Sequence, residues 1–510
     1  MNRTTLSLIA GASALAAVTA VASLTAPGAA GTDTARAAAR LPVERTSVAC
    51  PAPSSSDLAE TSYASFTPVT KGVTGEGKAE LRAAARKSAK TGEDAGADGT
   101  DGTDGGTEQA GEAGKAVLKP GEPGTPTAGD ASGAESPALT GTAEGKYAPG
   151  WTVQQTTEVT AGTGRGLQGV ACTVPDTEFW FPAASTEAGR TDYLHLTNPD
   201  DSAAVVDIEL YGTEGELESQ VGQGMTVPPH STEPILLSTL TAEKQPNLTV
   251  HVTVRGGRVG AAVQALDAKL GGDWLTAAAD PAGSLVLPGI PADATAVRLV
   301  AFSPGDTDAD LKVRLASPSG GITPAGNETL HVKAGMTTAI DLGDVTRGEA
   351  GSLVLTPTDE AVPVVAAARV IRGKGSAQES AFVPATRAVD SRASAVGNTA
   401  KGTILSLTAP GESAKVKVTA SAGSEGGSPV SRTHTLKAGT TQNIEVPVPS
   451  GLEGSYALTV ERLSGGPVHA ARTLTADLDG VPAFTIQPLP DDQGTVSVPE
   501  TEQDLSVLQE

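Results

Sequence analysis

Three sets of landmarks recur along this chain at one spacing of about 105 residues, and that recurrence limits the fold more than any other feature. Pro199, Pro304 and Pro410 each close an apolar run. Val227, Val332 and Leu436 precede a Pro-Pro or Lys-Ala-Gly turn, and Val259, Val364 and Val468 open an Ala-rich run. A repeat of this length is too long for a solenoid unit, so each copy has to bury a core of its own. It is the usual size of an immunoglobulin-like sandwich.

Within each copy the apolar residues alternate. Val206, Ile208 and Leu210 share one parity in the first copy. Leu311, Val313 and Leu315 alternate with Lys312 and Arg314 in the second, and Val416 and Val418 with Lys415 and Lys417 in the third. Period-two patterning marks strands with one buried face. Turn signals such as Asn198-Pro-Asp-Asp201, Ser303-Pro-Gly-Asp306 and Gly256-Gly257 separate the runs. Aromatic residues are only 3% of the chain, so the cores must be built from Val, Leu, Ile and Ala. The fold expected is all-β: tandem immunoglobulin-like β-sandwiches, three repeats of about 105 residues over 146–283, 284–390 and 391–490, with a disordered acidic insert.

The rest of the chain reads as flanking material. Residues 1–30 have the pattern of an export signal: Asn2-Arg3, an apolar run over Leu6–Leu24, then Gly28-Ala-Ala30 as a small-residue cleavage site. An uncleaved anchor is the rival reading, because a run of that length can span a bilayer. Residues 41–75 read as strand material packing on the first sandwich, and Lys78–Lys90 as either a short helix or a strand end. Residues 91–145 are rich in Gly, Asp, Glu, Thr and Pro with few large apolar side chains, which predicts disorder. Residues 93–145 hold eleven acidic residues against two lysines, and 491–510 hold six against none. Most of the net charge of −23 therefore lies in that insert and in a second expected disordered tract, the acidic tail 491–510.

That charge distribution argues against nucleic acid as a partner, since no basic stripe is present. It also argues against an electrostatic hold on anionic lipid, leaving an N-terminal anchor as the route to a membrane. The chain has two cysteines, Cys50 and Cys172, both in Val-Ala-Cys contexts. An even count in an exported chain predicts a disulfide between them.

Motifs that carry chemistry are missing from the sequence. It has no Gly-x-Ser-x-Gly elbow, no phosphate-binding glycine loop and no His-Glu-x-x-His. The six histidines (195, 230, 251, 331, 434, 469) are scattered. Asp306-Thr-Asp-Ala-Asp310 starts like a calcium loop but has Leu311 where glycine is required. No catalytic residue, metal ligand or cofactor is assigned, and a non-enzyme is expected. Trp151, Trp180 and Trp274 admit two readings. They are hydrophobic plugs at domain junctions, or they are exposed platforms on which a sugar or peptide stacks. Trp274, Phe382 and Phe484 recur at related positions, which favours the junctions.

The stretch Cys172-Thr-Val-Pro-Asp-Thr-Glu-Phe-Trp-Phe181, with Gly189-Arg190, Tyr193-Leu-His-Leu-Thr-Asn-Pro199 and Tyr211-Gly212, resembles an uncharacterised actinobacterial secreted-protein family. That family is defined only as a domain of unknown function, and the resemblance covers roughly residues 45–480. It implies an N-terminal signal or anchor, a cysteine shortly after it and β-rich repeats; because the family's genes tend to lie near that of a membrane glycosyltransferase, it also implies a role in the cell envelope, accessory to glycan assembly. It carries over no site residues, and the insert at 91–145 departs from it. The expectation is an exported, non-enzymatic envelope protein that binds or scaffolds an envelope protein or glycan. A carbohydrate-binding module array is the first alternative and an envelope hydrolase the second.

Overall fold

The alternating Val/Leu/Ala runs form antiparallel strands because each can bury one face against a second sheet. The computed structural model describes residues 39–498 except 74, 87–113, 220 and 479. The expected signal at 1–30, the insert over 91–113 and the tail from 499 lie outside the described residues. Ala39–Pro42 pairs with Thr495–Val498, and of these, residues 39–41 and 496–498 belong to a small separate unit. Residues 42–495 form the other unit.

Four sandwiches, rather than three, occupy that larger unit. The N-terminal one spans 45–171, and the others span 178–275, 285–384 and 392–488. Counting the seven main strands of each in order, and leaving out the short strands that extend the third strand's edge (Ala116–Leu118 in the first sandwich and its counterparts), one sheet joins the first, fifth and third, and the other the fourth, second, sixth and seventh. This order recurs in all four. It differs from the ABED/CFG order of immunoglobulin constant domains, although the two-sheet architecture is shared. The period-two prediction holds: Leu311, Val313 and Leu315 are buried between exposed Lys312 and Arg314. The landmarks also fall in equivalent places. Val259, Val364 and Val468 make the same isolated bridge, to Asp176, Ala282 and Val389.

The N-terminal sandwich corrects three expectations. Residues 41–75 do not merely pack on the first repeat; Arg45–Cys50 and Ala59–Phe66 are the first two strands of a separate sandwich. The segment 114–145, expected to be disordered, supplies the strands Ala116–Leu118, Thr127–Ser132 and Leu139–Gly145. Residues 146–171 end this sandwich and do not open the next one. The composition misled because these strands use glycine where a side chain will not fit. A Cβ on Gly141 would lie 2.6 Å from Trp151 Cη2 and 2.7 Å from Leu81 Cδ2. Of Lys78–Lys90, the described part forms the strands Gly77–Ala83 and Ala85–Arg86, and 87–90 lie outside the described residues. The start of the acidic tail is also ordered, since Asp491 accepts the backbone N–H groups of Ser391 and Arg392.

The four sandwiches pack in a closed cycle. The first strand of each lies on the second and sixth strands of the next: Arg45–Cys50 on Arg190–Asn198 and Gly260–Asp267, then Glu178–Ala184 on Ala294–Phe302 and Val365–Arg372. Leu285–Ile290 lies likewise on Thr403–Ala409 and His469–Leu478. Arg392–Asn398 returns to Ala59–Phe66 and Thr152–Val159, which closes the series. The four seventh strands, Gly166–Ala171, Gly271–Leu275, Glu379–Pro384 and Val481–Pro488, pack on one another in the same cyclic order.

Candidate functional site

Trp180, Trp274, Phe382 and Phe484 fall at these junctions. Along Glu178–Ala184, Phe179 and Phe181 enter the core of their own sandwich, while Trp180 packs on Phe302 and Val365 of the next. The Trp180 ring also stacks on His251, with centroids 3.6 Å apart. Trp274 packs with Val170 and Ala262, and Trp151 lies in the N-terminal core, donating from Nε1 to Ser65 Oγ at 2.9 Å. Trp151, Trp180 and Trp274 are only 5, 6 and 2% exposed. The ligand-stacking role considered for them is therefore corrected: burial leaves no ring face for a sugar or peptide. Phe382 and Phe484 are buried at the following two junctions.

The predicted disulfide is present. Cys50, at the end of the first strand of the N-terminal sandwich, is bonded to Cys172, just after its seventh.

Two fully buried ionisable side chains sit where the sandwiches meet, and sequence reasoning missed both. Asp273 receives the N–H of Gly169 at 3.1 Å and the hydroxyl of Thr485 at 3.0 Å, together with the N–H groups of Trp274 and Phe382. Its donors thus come from all four sandwiches. Complete burial raises its pKa well above the usual carboxylate value, and the four donors pull against that shift. Arg472 is also fully buried. It donates to Asn398 Oδ1 (2.9 Å), Gln154 Oε1 (2.7 Å), Gln487 and the Val396 carbonyl, and desolvation depresses its pKa to about 9. These contacts join the fourth sandwich to the first.

A cleft of about 630 Å³ opens between the third and fourth sandwiches, in the size range of small-molecule sites. Leu285, Val286 and Leu355 form its apolar bed, and Pro281, Pro410 and Pro467 stand at its walls. Its polar groups are few. Arg387 donates to Asp280 at 2.6 Å across the two linkers that frame it. His469 Nδ1 lies 3.0 Å from the Thr386 carbonyl oxygen. A carbonyl can only accept, so Nδ1 carries the proton and Nε2 is left as an acceptor. Burial lowers the His469 pKa to about 4, which keeps the ring neutral at ordinary pH. The cleft can therefore hold an apolar body and accept one hydrogen bond from it.

A faint signal for His469 and Arg472 does exist in the sequence. The run Val468-His-Ala-Ala-Arg-Thr-Leu474 places His and Arg where Val259-Gly-Ala-Ala-Val-Gln-Ala265 has Gly and Val. Asp273 has a comparable signal, since it precedes the recurring Trp274 where Ala381 and Ala483 precede Phe382 and Phe484.

Taken together, fold and site define an all-β protein of fused sandwiches whose junctions absorb its aromatic and buried charged side chains, with a ligand-sized cleft beside one junction. The chain belongs to the family of unknown function DUF5719, whose model matches residues 127–447. The match takes in the second and third sandwiches whole and parts of the first and fourth. No curated protein matches the chain.

Proposed function

We propose that this is an exported, non-enzymatic protein of the cell envelope that binds or scaffolds another envelope component. The observation that carries the reading is the cleft between the third and fourth sandwiches. Its bed is apolar, its imidazole is held neutral, and it lies on four sandwiches locked into a closed cycle. A fixed cycle of this kind presents a surface without a moving part, which suits recognition. The Cys50–Cys172 disulfide supports an oxidising compartment, and the signal-like residues 1–30 support export. Among the described residues, no helix is long and apolar enough to cross a membrane. An apolar cleft walled by prolines suits an extended peptide segment of an envelope protein better than a sugar ring.

The test is complementation in the source organism. Deletion should alter the envelope, read as sensitivity to detergent and to wall-degrading enzymes. Full-length chain should restore it. A chain lacking residues 1–30, or one whose cleft is filled by Ala388→Trp, should not. Restoration by the leaderless chain would sink the envelope reading, and full restoration by Ala388→Trp would remove the cleft from it.

A further inference from the structure

A second, smaller cavity of about 170 Å³ lies at a different junction, between loops of the second sandwich and the sheet of the third. Lys269 and Glu187 reach it from the loops, Arg190 from the start of the strand Arg190–Asn198, and Arg298 and Arg369 from the sheet. Arg298 and Arg369 sit directly opposite each other on neighbouring strands. Like charges in that position destabilise a sheet. Two acids answer them from the sides: Arg298 makes a two-point pair with Asp341 (2.7 and 2.8 Å), and Arg369 Nη2 donates to Asp267 at 2.7 Å. Arg190 is held at two points by buried Asp192 (3.0 and 2.7 Å). Both Arg190 and Arg369 stand over the Phe382 ring, 5.5 and 5.9 Å from its centre.

Two further features show that these contacts do not complete the site. Arg369 Nε is buried and has no hydrogen-bond partner among the described residues. Burial, with the neighbouring Arg190 charge, holds the Arg369 pKa below its usual value, and Asp267 and Asp192 pull against that shift. The cavity wall also includes Ala183, a buried non-glycine residue with φ of +81° in the bulge between Pro182 and Ala184. Backbone strain of this kind persists where the surroundings impose it, and it concentrates at binding sites. Without the bulge the strand would continue regularly past the arginines.

We propose that this cavity is a binding site for a small oxyanion group, carboxylate or phosphate, held by Arg298 and Arg369. An oxyanion would accept from the Arg298 and Arg369 guanidinium forks that line the cavity and relieve the repulsion between the two opposed guanidiniums, and planar forks suit both anions. Glu187 at the exposed rim opposes anion entry. The cavity is separate from the cleft, so this inference stands or falls independently of the proposed function.

The experiment is isothermal titration calorimetry of the full chain with inorganic phosphate and, separately, acetate, each against chloride at matched ionic strength. Saturable one-to-one binding of at least one anion is expected. Binding of phosphate alone, acetate alone or both would assign a phosphate ligand, a carboxylate ligand or a shared oxyanion site. Arg298→Gln should weaken binding at least tenfold, and Glu187→Gln should strengthen it about twofold to fivefold. The exposed Glu187→Gln change leaves the junction intact, so it tests the site even if Arg298→Gln fails to fold. No saturable heat with either anion, or affinity unmoved by both substitutions, overturns the proposal.

Discussion

Single side chains at the junctions give this protein opposing responses to pH. Glu379 has its pKa pushed up to about 7 by burial, against the pull of Arg165 at 3.9 Å. Its unfolded value is near 4.3, so the folded state holds the proton more tightly, and the stability so gained is complete below that value and lost as pH rises through about 7. Glu379→Gln should therefore be more stable than the parent at pH 8 by about 1–2 kcal/mol after allowance for solvent screening, with the difference closing below about pH 4.5. His469 acts in the opposite sense. Its folded pKa of about 4 lies below an unfolded value near 6.5, so its contribution is present above pH 6.5 and lost as pH falls through about 4. His469→Gln should flatten the acid side of the same denaturation profile. Chemical denaturation at five pH values, with both variants beside the parent, checks the two signs together.

At the scale of elements, glycine placement decides which strands can form. Leu139–Gly145 is a weak strand by composition, yet it is the fifth strand of the N-terminal sandwich because Gly141 lets the Trp151 ring and Leu81 approach its backbone. Gly141→Ala should destabilise that sandwich by about 1–3 kcal/mol through overpacking, read as a lower thermal midpoint. An unchanged midpoint would show that Trp151 can move aside. The first strands make the converse point. Glu178–Ala184 reads as a near-continuous apolar run because both of its faces are buried, one in its own core and one on the following sandwich.

For the whole molecule, three junctions are joined by the chain itself and one is not. The fourth sandwich meets the first only through non-covalent contacts: Leu167 with Leu474 and Leu478, Ala64 and Phe66 with Val396 and Ala457, and the Arg472 network. Arg472→Met would leave Gln154, Asn398 and the Val396 carbonyl without their donor. It should cost about 3–5 kcal/mol and split a single unfolding transition into two, as followed by calorimetry. A single transition with an unchanged midpoint would mean that closure does not depend on this residue. The disulfide acts at the same scale. It spans 122 residues, so its reduction should lower stability by up to about 5 kcal/mol on the chain-entropy argument, measured as a shift in denaturant midpoint with and without reductant.

The amino-acid sequence alone determined what local physics can write. Period-two alternation set the strands, a period of about 105 residues set three of the sandwiches, and two cysteines in like contexts set the bond. The junction aromatics were legible as well, since Trp274, Phe382 and Phe484 recur with the repeat. The fourth copy was hidden because its strands at 116–145 are built of Gly, Thr and Ala and are cut from the third strand by a long acidic insert. Tertiary structure decided the rest. Asp273 gathers donors from Gly169, Phe382 and Thr485, and Arg472 reaches Gln154, across sequence separations of roughly one hundred to three hundred residues. No periodicity records such meetings, because burial and hydrogen-bond partners are set only when the last sandwich docks on the first.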